Sequence, residues 1–403
     1  MNYSKLISFC FLFASVIFTS CEQKTNTPQT DTSKLKKIKI DNTDFSRVFS
    51  LDQVIDSTRV VALQTTNDCL LGKIDRLFFA DNRIIIVDKY NTKSIFFFDR
   101  QGKFLSKIDK KGKGAGEYIS MHDVIFADSL VEIFDDALSK IIRYDLNGKY
   151  KNESPLLPFS KSKFAKDANG SYLLFNINEP TSFGNFKLYN WDVKSNAPVA
   201  TFLPFDDLLA TNKRYEFETP FNYGYLDGKR TLKFKEMFND TVYAFNAGKL
   251  IADYKFEFEE NPLPENYSND FSINDKDATV VDENYARYLG GYCEIKDYLL
   301  FYYEFNQIIN IGLWDKINTK MLANTNLAVL KKYNILLPYI WFNGPKENGI
   351  VTTYEAQDLI NWAKQQKKNK NITATDLYQR AVNLTANDNP VLLFIDLKRV
   401  QQK

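Results

Sequence analysis

The chain has 403 residues, more than one compact core usually holds, so it implies either two or three domains or a closed all-β ring that takes this length as one unit. Its 52 basic and 50 acidic residues leave a net charge of +2 with no block of one sign, which excludes the basic face a nucleic-acid partner requires. Aromatic residues reach 15%, with 33 Phe and 23 Tyr, a composition suited to pleated, half-buried sheet surfaces.

In chain order, residues 1–20 read as a signal peptide. A short polar start with Lys5 is followed by the apolar run LISFCFLFASVIFTS, which is too short to span a bilayer as an anchor. The run ends in Phe18-Thr19-Ser20-Cys21 rather than a plain small-residue cleavage site, the alternative being ordinary cleavage nearby. Small residues directly before a cysteine resemble the lipobox of bacterial lipoproteins. That resemblance implies lipidation at Cys21 and attachment to a membrane of the cell envelope, the outer membrane first, on its periplasmic or its surface face. No acidic run follows Cys21, which favours the inward face. Residues 21–45, opening with a Thr-rich polar stretch free of aromatics, are expected to form a flexible tether.

From residue 46 onward the chain repeats itself. Asp75 to Ile108 reads DRLFFADNRIIIVDKYNTKSIFFFDRQGKFLSKI, and Asp123 to Asn152 reads DVIFADSLVEIFDDALSKIIRYDLNGKYKN. Each has an apolar strand, a turn after Asp81 or Asp128, and a second strand ending in Asp88 or Asp135. A third strand closes with Asp99-x-x-Gly102 or Asp145-x-x-Gly148, and a fourth begins with Lys. The offset of 48 residues is that of a four-stranded propeller blade. Asp-x-x-Gly suits a tight hairpin, because Asp satisfies turn amides and Gly accepts positive φ. Weaker copies run over Phe164 to Phe205, Phe221 to Phe258 (with Asn246-Ala247-Gly248 in the turn slot) and Gly290 to Leu327.

The last region supplies two strands within Tyr339 to Tyr354, a helical insertion over about 355–386, and a final strand in VLLFIDLK after Asn389-Pro390. Its fourth strand is expected from Arg59 to Thr66, so that an N-terminal strand completes the last blade and closes the ring. The expected fold is therefore all-β, a six-bladed propeller of four-stranded antiparallel blades over residues 46–403, with a short helical insertion in the last blade.

The chain resembles the six-bladed β-propeller lipoproteins of Bacteroidetes, relatives of the NHL-repeat propellers. The resemblance rests on VALQTT with DCLLG, then NRIIIVDK, IFFFDRQGKFL, GKGAGEY, FNDTVYAF and NPVLLFIDLK, in that order. It departs at Ala115, where many members carry proline in the glycine-rich joint. It implies a fold and an envelope location and no reaction.

The stretch GKGAGEY, Gly112 to Tyr118, carries three alternating glycines but no helix pattern after it, so a nucleotide loop is excluded and a crossing from blade 1 to blade 2 is expected. Residues just past such a crossing enter the inner strand at the channel mouth. Glu117, Tyr118, His122 and Asp123, with Asp75 at the matching place in blade 1, are therefore the candidate binding residues; the alternative is that the aspartates cap loop amides and Tyr118 packs between blades.

His122 is the only histidine, which argues against zinc and His-dependent catalysis; no catalytic residue, metal or cofactor is assigned. Asp275, Asp277 and Asp282 lack the glycine and spacing of a calcium loop. Cys69 and Cys293 are expected as two buried thiols or one bridge. The expected function is a lipid-anchored module that binds a glycan, small molecule or protein partner. The alternative is an NHL-like propeller lyase or hydrolase with its site in the channel.

Overall fold

The computed structural model describes residues 30–43, 49–154, 163–167, 169–176, 180–205, 220–236, 238–263, 285–338 and 341–399. The signal peptide, Cys21 and the acidic stretch Asn274 to Asn284 lie outside the described residues.

Six sheets form the blades of a propeller. Blade 1 consists of Arg76–Ala80, Arg83–Asp88, Ser94–Asp99 and Phe104–Ile108; blade 2 of Asp123–Ala127, Leu130–Asp135, Lys140–Asp145 and Tyr150–Ser154. Blade 3 spans Lys163–Lys166, Tyr172–Phe175, Phe186–Asp192 and Ala197–Pro204, and blade 4 begins with Phe221–Leu226, Lys229–Phe234, Thr241–Asn246 and Lys249–Phe258. Blade 5 runs through Arg287–Glu294, Tyr298–Phe305, Ile308–Asp315 and Lys320–Thr325. Blade 6 takes Trp341–Asn343, Gly349–Tyr354 and Val391–Leu397.

The fourth strand of blade 6 comes from the N-terminal side. Ile55–Ala62 pairs antiparallel with Val391–Leu397, from Ala62 opposite Val391 to Ile55 opposite Leu397. It starts four residues before the expected segment and stops at Ala62, because Gln64 onward turns to bind neighbouring loops: Gln64 N donates to Gly102 O (2.8 Å) and Asn389 Nδ2 donates to Gln64 O (2.7 Å).

The runs of consecutive apolar residues follow from blades packing on both faces of each sheet. Ile85 and Val87 point to a cluster with Val131, Ile133 and Tyr144 of blade 2, whereas Ile84 and Ile86 meet Val61, Val351 and Leu392 of blade 6. Equivalent clusters sit between every other adjacent pair, so the core is a ring of six interfaces.

The turns explain the repeat's polar punctuation. Asp81 and Asn82, like Asp128 and Ser129, take positive φ at both central positions, the geometry of a two-residue hairpin. In the longer turns Asp99 Oδ1 accepts from Gln101 N and Lys103 N, both at 2.9 Å, and Gly102 takes φ of +86°. Asn246-Ala247-Gly248 is different from the expected Asp-x-x-Gly turn: Asn246 pairs directly with Lys249, so Ala247 and Gly248 form a two-residue turn.

Two further features were not read from the sequence. Lys36–Ile40 pairs parallel with Tyr254–Phe258 and makes blade 4 five-stranded, so a free tether does not extend to residue 45. Ile38 and Ile40 bury completely between blades 4 and 5, which supplies the apolar contact that the lysines around them disguise. Phe49–Ser50, Ala328–Leu330 and Ile335–Leu336 form a small separate sheet. The insertion in blade 6 consists of α1 (Ala356–Gln366), α2 (Lys370–Thr373) and α3 (Asp376–Ala381), packed through Leu359, Ala363, Leu377 and Ala381 onto the interface of blades 5 and 6. Cys69 and Cys293 are separate buried thiols.

Candidate functional site

The first strands of the blades converge on the axis: those of blades 2 and 3, 4 and 5, and 5 and 6 lie side by side. Between them runs a channel with a cavity volume of about 1180 Å³, lined by residues of all six first strands. Its lining holds eleven basic and four acidic side chains, although the whole chain is almost neutral. Phe78, Tyr90, Phe126, Tyr223 and Phe342 contribute aromatic wall.

At the mouth formed by the hairpins between first and second strands, charge is compensated. Lys166 Nζ lies 2.6 Å from Asp128 and 3.3 Å from the buried Glu132, Lys346 pairs with Asp396 at 2.6 Å, and Arg230 stacks over Tyr223 with 4.9 Å to the ring centre. The opposite mouth, where crossings from one blade enter the next, is built differently. In blades 1 and 2 the second strand ends there in an aspartate consumed by loop amides. Asp88 accepts from Gly72 N (2.7 Å) and Asn91 N (3.0 Å), and Asp135 from Ile119 N (2.7 Å) and Leu138 N (3.0 Å). The residue after each is thereby fixed at the mouth: Lys89 in blade 1 and Asp136 in blade 2.

Asp123 is the hinge of this mouth. It is 1% exposed and accepts from the Arg76 guanidinium of blade 1, from Val124 N (2.9 Å) and from Phe164 N of blade 3 (3.0 Å). Beside it Lys163, 4% exposed, donates to the His122 carbonyl at 3.2 Å. Burial pulls the Lys163 ammonium down to about 7; Asp123 opposes this, and the neighbouring charges of Lys89 and Arg76 reinforce it. Burial likewise lowers His122 to about 4, helped by Lys163 and opposed by Asp136, so the imidazole is neutral at neutral pH. Its Nδ1 lies 3.5 Å from Asp136, its ring meets Phe134 edge-on at 5.9 Å, and its Nε2 is buried with no hydrogen-bond partner among the described residues.

Three of the five sequence-predicted residues meet here. Asp75 lines the channel, 3.6 Å from Lys73 Nζ, and accepts from Lys89 N at 2.7 Å; His122 and the buried Asp123 lie behind the lining, in contact with Lys163 and Arg76. Glu117 and Tyr118 do not line the channel. Glu117 folds back within the glycine joint and accepts from Gly114 N at 2.9 Å. Tyr118 is fully buried between blades 1 and 2 and donates to Lys93 O (2.7 Å) and Ile108 O (3.3 Å). The cations Arg76, Lys89 and Lys163 were missed by sequence reasoning. The available signal was that Arg76 and Lys163 each open a first strand and Lys89 follows a strand-ending aspartate.

Chemically, the mouth gathers basic side chains, Arg76 and Lys163 beside the Asp123 carboxylate and Lys89 beside Lys163. It attracts anions. Among the described residues no group of three or more His, Cys, Asp or Glu could hold a metal ion.

Among solved structures, the chain is similar to a Bacteroides fragilis NCTC 9343 protein titled "Putative exported protein", with 20% identity, a TM-score of 0.70, and coverage of 91% of this chain and 100% of that one. A member of the duf4221 family from Bacteroides vulgatus is similar at 11% identity and a TM-score of 0.49, over 86% of this chain and 97% of that one. Virginiamycin B lyase from Staphylococcus aureus reaches 14% identity and a TM-score of 0.36, over 73% and 80%. The first of these likenesses speaks for the fold alone, and the other two carry no argument. No curated protein matches the chain. The family described as a domain of unknown function, DUF4934, matches residues 35–396, and the chain belongs to it.

Proposed function

We propose that this protein is an exported, lipid-anchored propeller of the cell envelope that binds an anionic small molecule or acidic glycan in its axial channel, without catalysing a reaction on it. The observation that carries the reading is the excess of eleven basic over four acidic side chains in the channel lining, set against aromatic wall. Cations concentrated in a cleft with low-dielectric walls focus the field and raise the local concentration of anions. Aromatic faces beside them offer stacking surface to a sugar ring or another flat group.

Export and anchoring are supported by the apolar run before Phe18-Thr19-Ser20-Cys21, and export also by the exported-protein description of the Bacteroides fragilis relative. A binding rather than catalytic role is supported by the state of the reactive groups. His122 is neutral and packed against Phe134, and burial pushes the Cys293 thiol up to about 12, which removes the thiolate a nucleophile needs. One observation favours the alternative of a channel enzyme: Lys163 changes protonation near neutrality, as a catalytic amine would.

The test is thermal stabilisation of the full chain, carrying Cys21→Ser to keep it in solution, by matched acidic and neutral sugars. Acidic ligands should raise the melting temperature, and the gain should shrink between about 20 and about 300 mM salt. Equal stabilisation by neutral sugars, unaffected by salt, would refute the reading.

A further inference from the structure

Resting on the reading of the channel as an anion site, we propose that its ligand is a linear acidic glycan. The chain lies in a trough that crosses the hairpin face of the ring from the seam of blades 6 and 1, over the axis, to the seam of blades 3 and 4.

The course of the cavity points to this. Blades 2, 3 and 5 line it only with their first strands, their second strands and the hairpins between them. Blade 6 adds Phe394 from its third strand and Arg59 from its fourth, and blade 1 adds Arg100 and Gln101 from the turn between its third and fourth. Blade 4 adds Phe245, Asn246 and Ala247 from the corresponding place. Arg59 Nη1 donates to Arg100 O at 2.8 Å across the first of these seams, and Phe245 packs against blade 3 in the second. In a ring of six blades the two seams lie opposite each other, with blades 1 to 3 on one side and blades 4 to 6 on the other. The outer turns share a face with the first hairpins, so the two arms and the channel mouth make one trough. A compact ligand needs only its axial part; an unbranched chain occupies both arms.

The walls carry the matching chemistry. The lysines of this mouth, Lys166 and Lys346, are neutralised by carboxylates. Its arginines are not. Besides Arg59, Arg83 donates to the Leu146 carbonyl and to Asn147 Oδ1 (2.9 Å), and Arg230 stacks on Tyr223; none of these three stands in an ion pair among the described residues. Guanidinium groups spaced along a trough suit carboxylates repeated along a chain, each taken by a forked pair of hydrogen bonds. Exposed amides of Asn82, Gln101 and Asn246 offer partners to hydroxyls, and the half-buried Phe79 and Phe342 offer apolar faces to sugar rings. An acidic peptide fits less well. Extended peptides are taken up along an open strand edge, whereas the hairpins here pair their own backbones, Ala80 with Arg83, Leu226 with Lys229 and Asn343 with Ile350.

The experiment is calorimetric titration of the full Cys21→Ser chain with galacturonate, its linear trimer and hexamer, a neutral galactose hexamer and a glutamate hexamer. Affinity per uronate unit should rise at least tenfold from monomer to hexamer, and the neutral hexamer should bind at least tenfold more weakly than the acidic one. Arg100→Ala and Arg230→Ala, at exposed positions in opposite arms, should each lower hexamer affinity at least fivefold. Lys320→Ala, exposed on the same face in blade 5, which neither seam borders, should leave it unchanged. Equal affinity per unit for monomer and hexamer, or unchanged hexamer binding in Arg100→Ala or Arg230→Ala, overturns the trough while leaving an anion channel. Glutamate hexamer binding as tightly as galacturonate hexamer overturns the glycan assignment. A neutral hexamer binding as tightly as the acidic one, or no binding of any acidic probe, overturns both readings.

Discussion

Replacing Lys163 with methionine should stabilise the protein near pH 6 and flatten its response to higher pH. In the folded protein burial, with Lys89 and Arg76 beside it, brings the Lys163 ammonium to about 7 against the pull of Asp123; in the unfolded chain it titrates at its ordinary 10.5. Between these values the unfolded chain binds a proton that the folded protein does not, so stability rises with pH across the window and is lost as pH falls towards 7. At roughly 1.4 kcal/mol per pH unit, the window is worth on the order of 5 kcal/mol at most, and local relaxation leaves about 2–3 kcal/mol. Methionine fills similar volume, carries no charge and forfeits one hydrogen bond to the His122 carbonyl, worth about 1 kcal/mol. Urea unfolding of both proteins from about pH 6 to about pH 10 checks this. The variant should be ahead by roughly 1–2 kcal/mol at the acid end, and the difference should close or reverse at the alkaline end. Two parallel stability profiles would refute the claim that the mouth holds a desolvated lysine.

Other parts of the structure give independent expectations. Deleting Ile55–Ala62 removes the strand that joins the first blade to the last, and should abolish the cooperative melting transition; an unchanged transition would refute the ring closure. Gly116 has a φ of +70°, and a Cβ there would come within 2.7 Å of the Tyr150 ring, so Gly116→Ala should cost about 1–3 kcal/mol in chemical denaturation. The buried carboxylate of Glu294 joins blades 4 and 5, lying 2.5 Å from Lys316 and 3.5 Å from the fully buried Lys233, with Tyr254 and Tyr292 donating to it. Burial opposes its ionisation, yet Lys233 and Lys316 hold the carboxyl below its ordinary value. Its contribution is therefore present above about pH 4.5 and lost as pH falls through the lower folded value. Glu294→Gln should destabilise by about 3–5 kcal/mol at neutral pH and remove part of the acid limb of the stability profile.

The blades were legible because their determinants are local and repeated. Apolar runs such as Ile84 to Val87, Asp-x-x-Gly turns and a constant offset leave little room for another architecture, and VLLFIDLK without a fourth strand nearby demanded a partner from the other end of the chain. Lys36–Ile40 was hidden because alternate lysines mask the two isoleucines that anchor it; its stability comes from pairing with a strand more than two hundred residues away. The site was half legible for a similar reason. Asp123 and His122 stand next to a recognisable joint, whereas Arg76, Lys89 and Lys163 are scattered through the sequence and vanish in a balanced charge total. Only the ring brings them together. Glu117 and Tyr118 look exposed by position, but the tight glycine joint turns one inward and buries the other.

The central reading, that the axial channel holds an anion, is tested most directly by a crystal structure of the full chain grown with tungstate, an oxyanion located by its anomalous signal. The account predicts a strong site within hydrogen-bond reach of basic side chains of the channel lining. A channel without anomalous density, in a crystal where tungstate binds elsewhere on the protein, would contradict it.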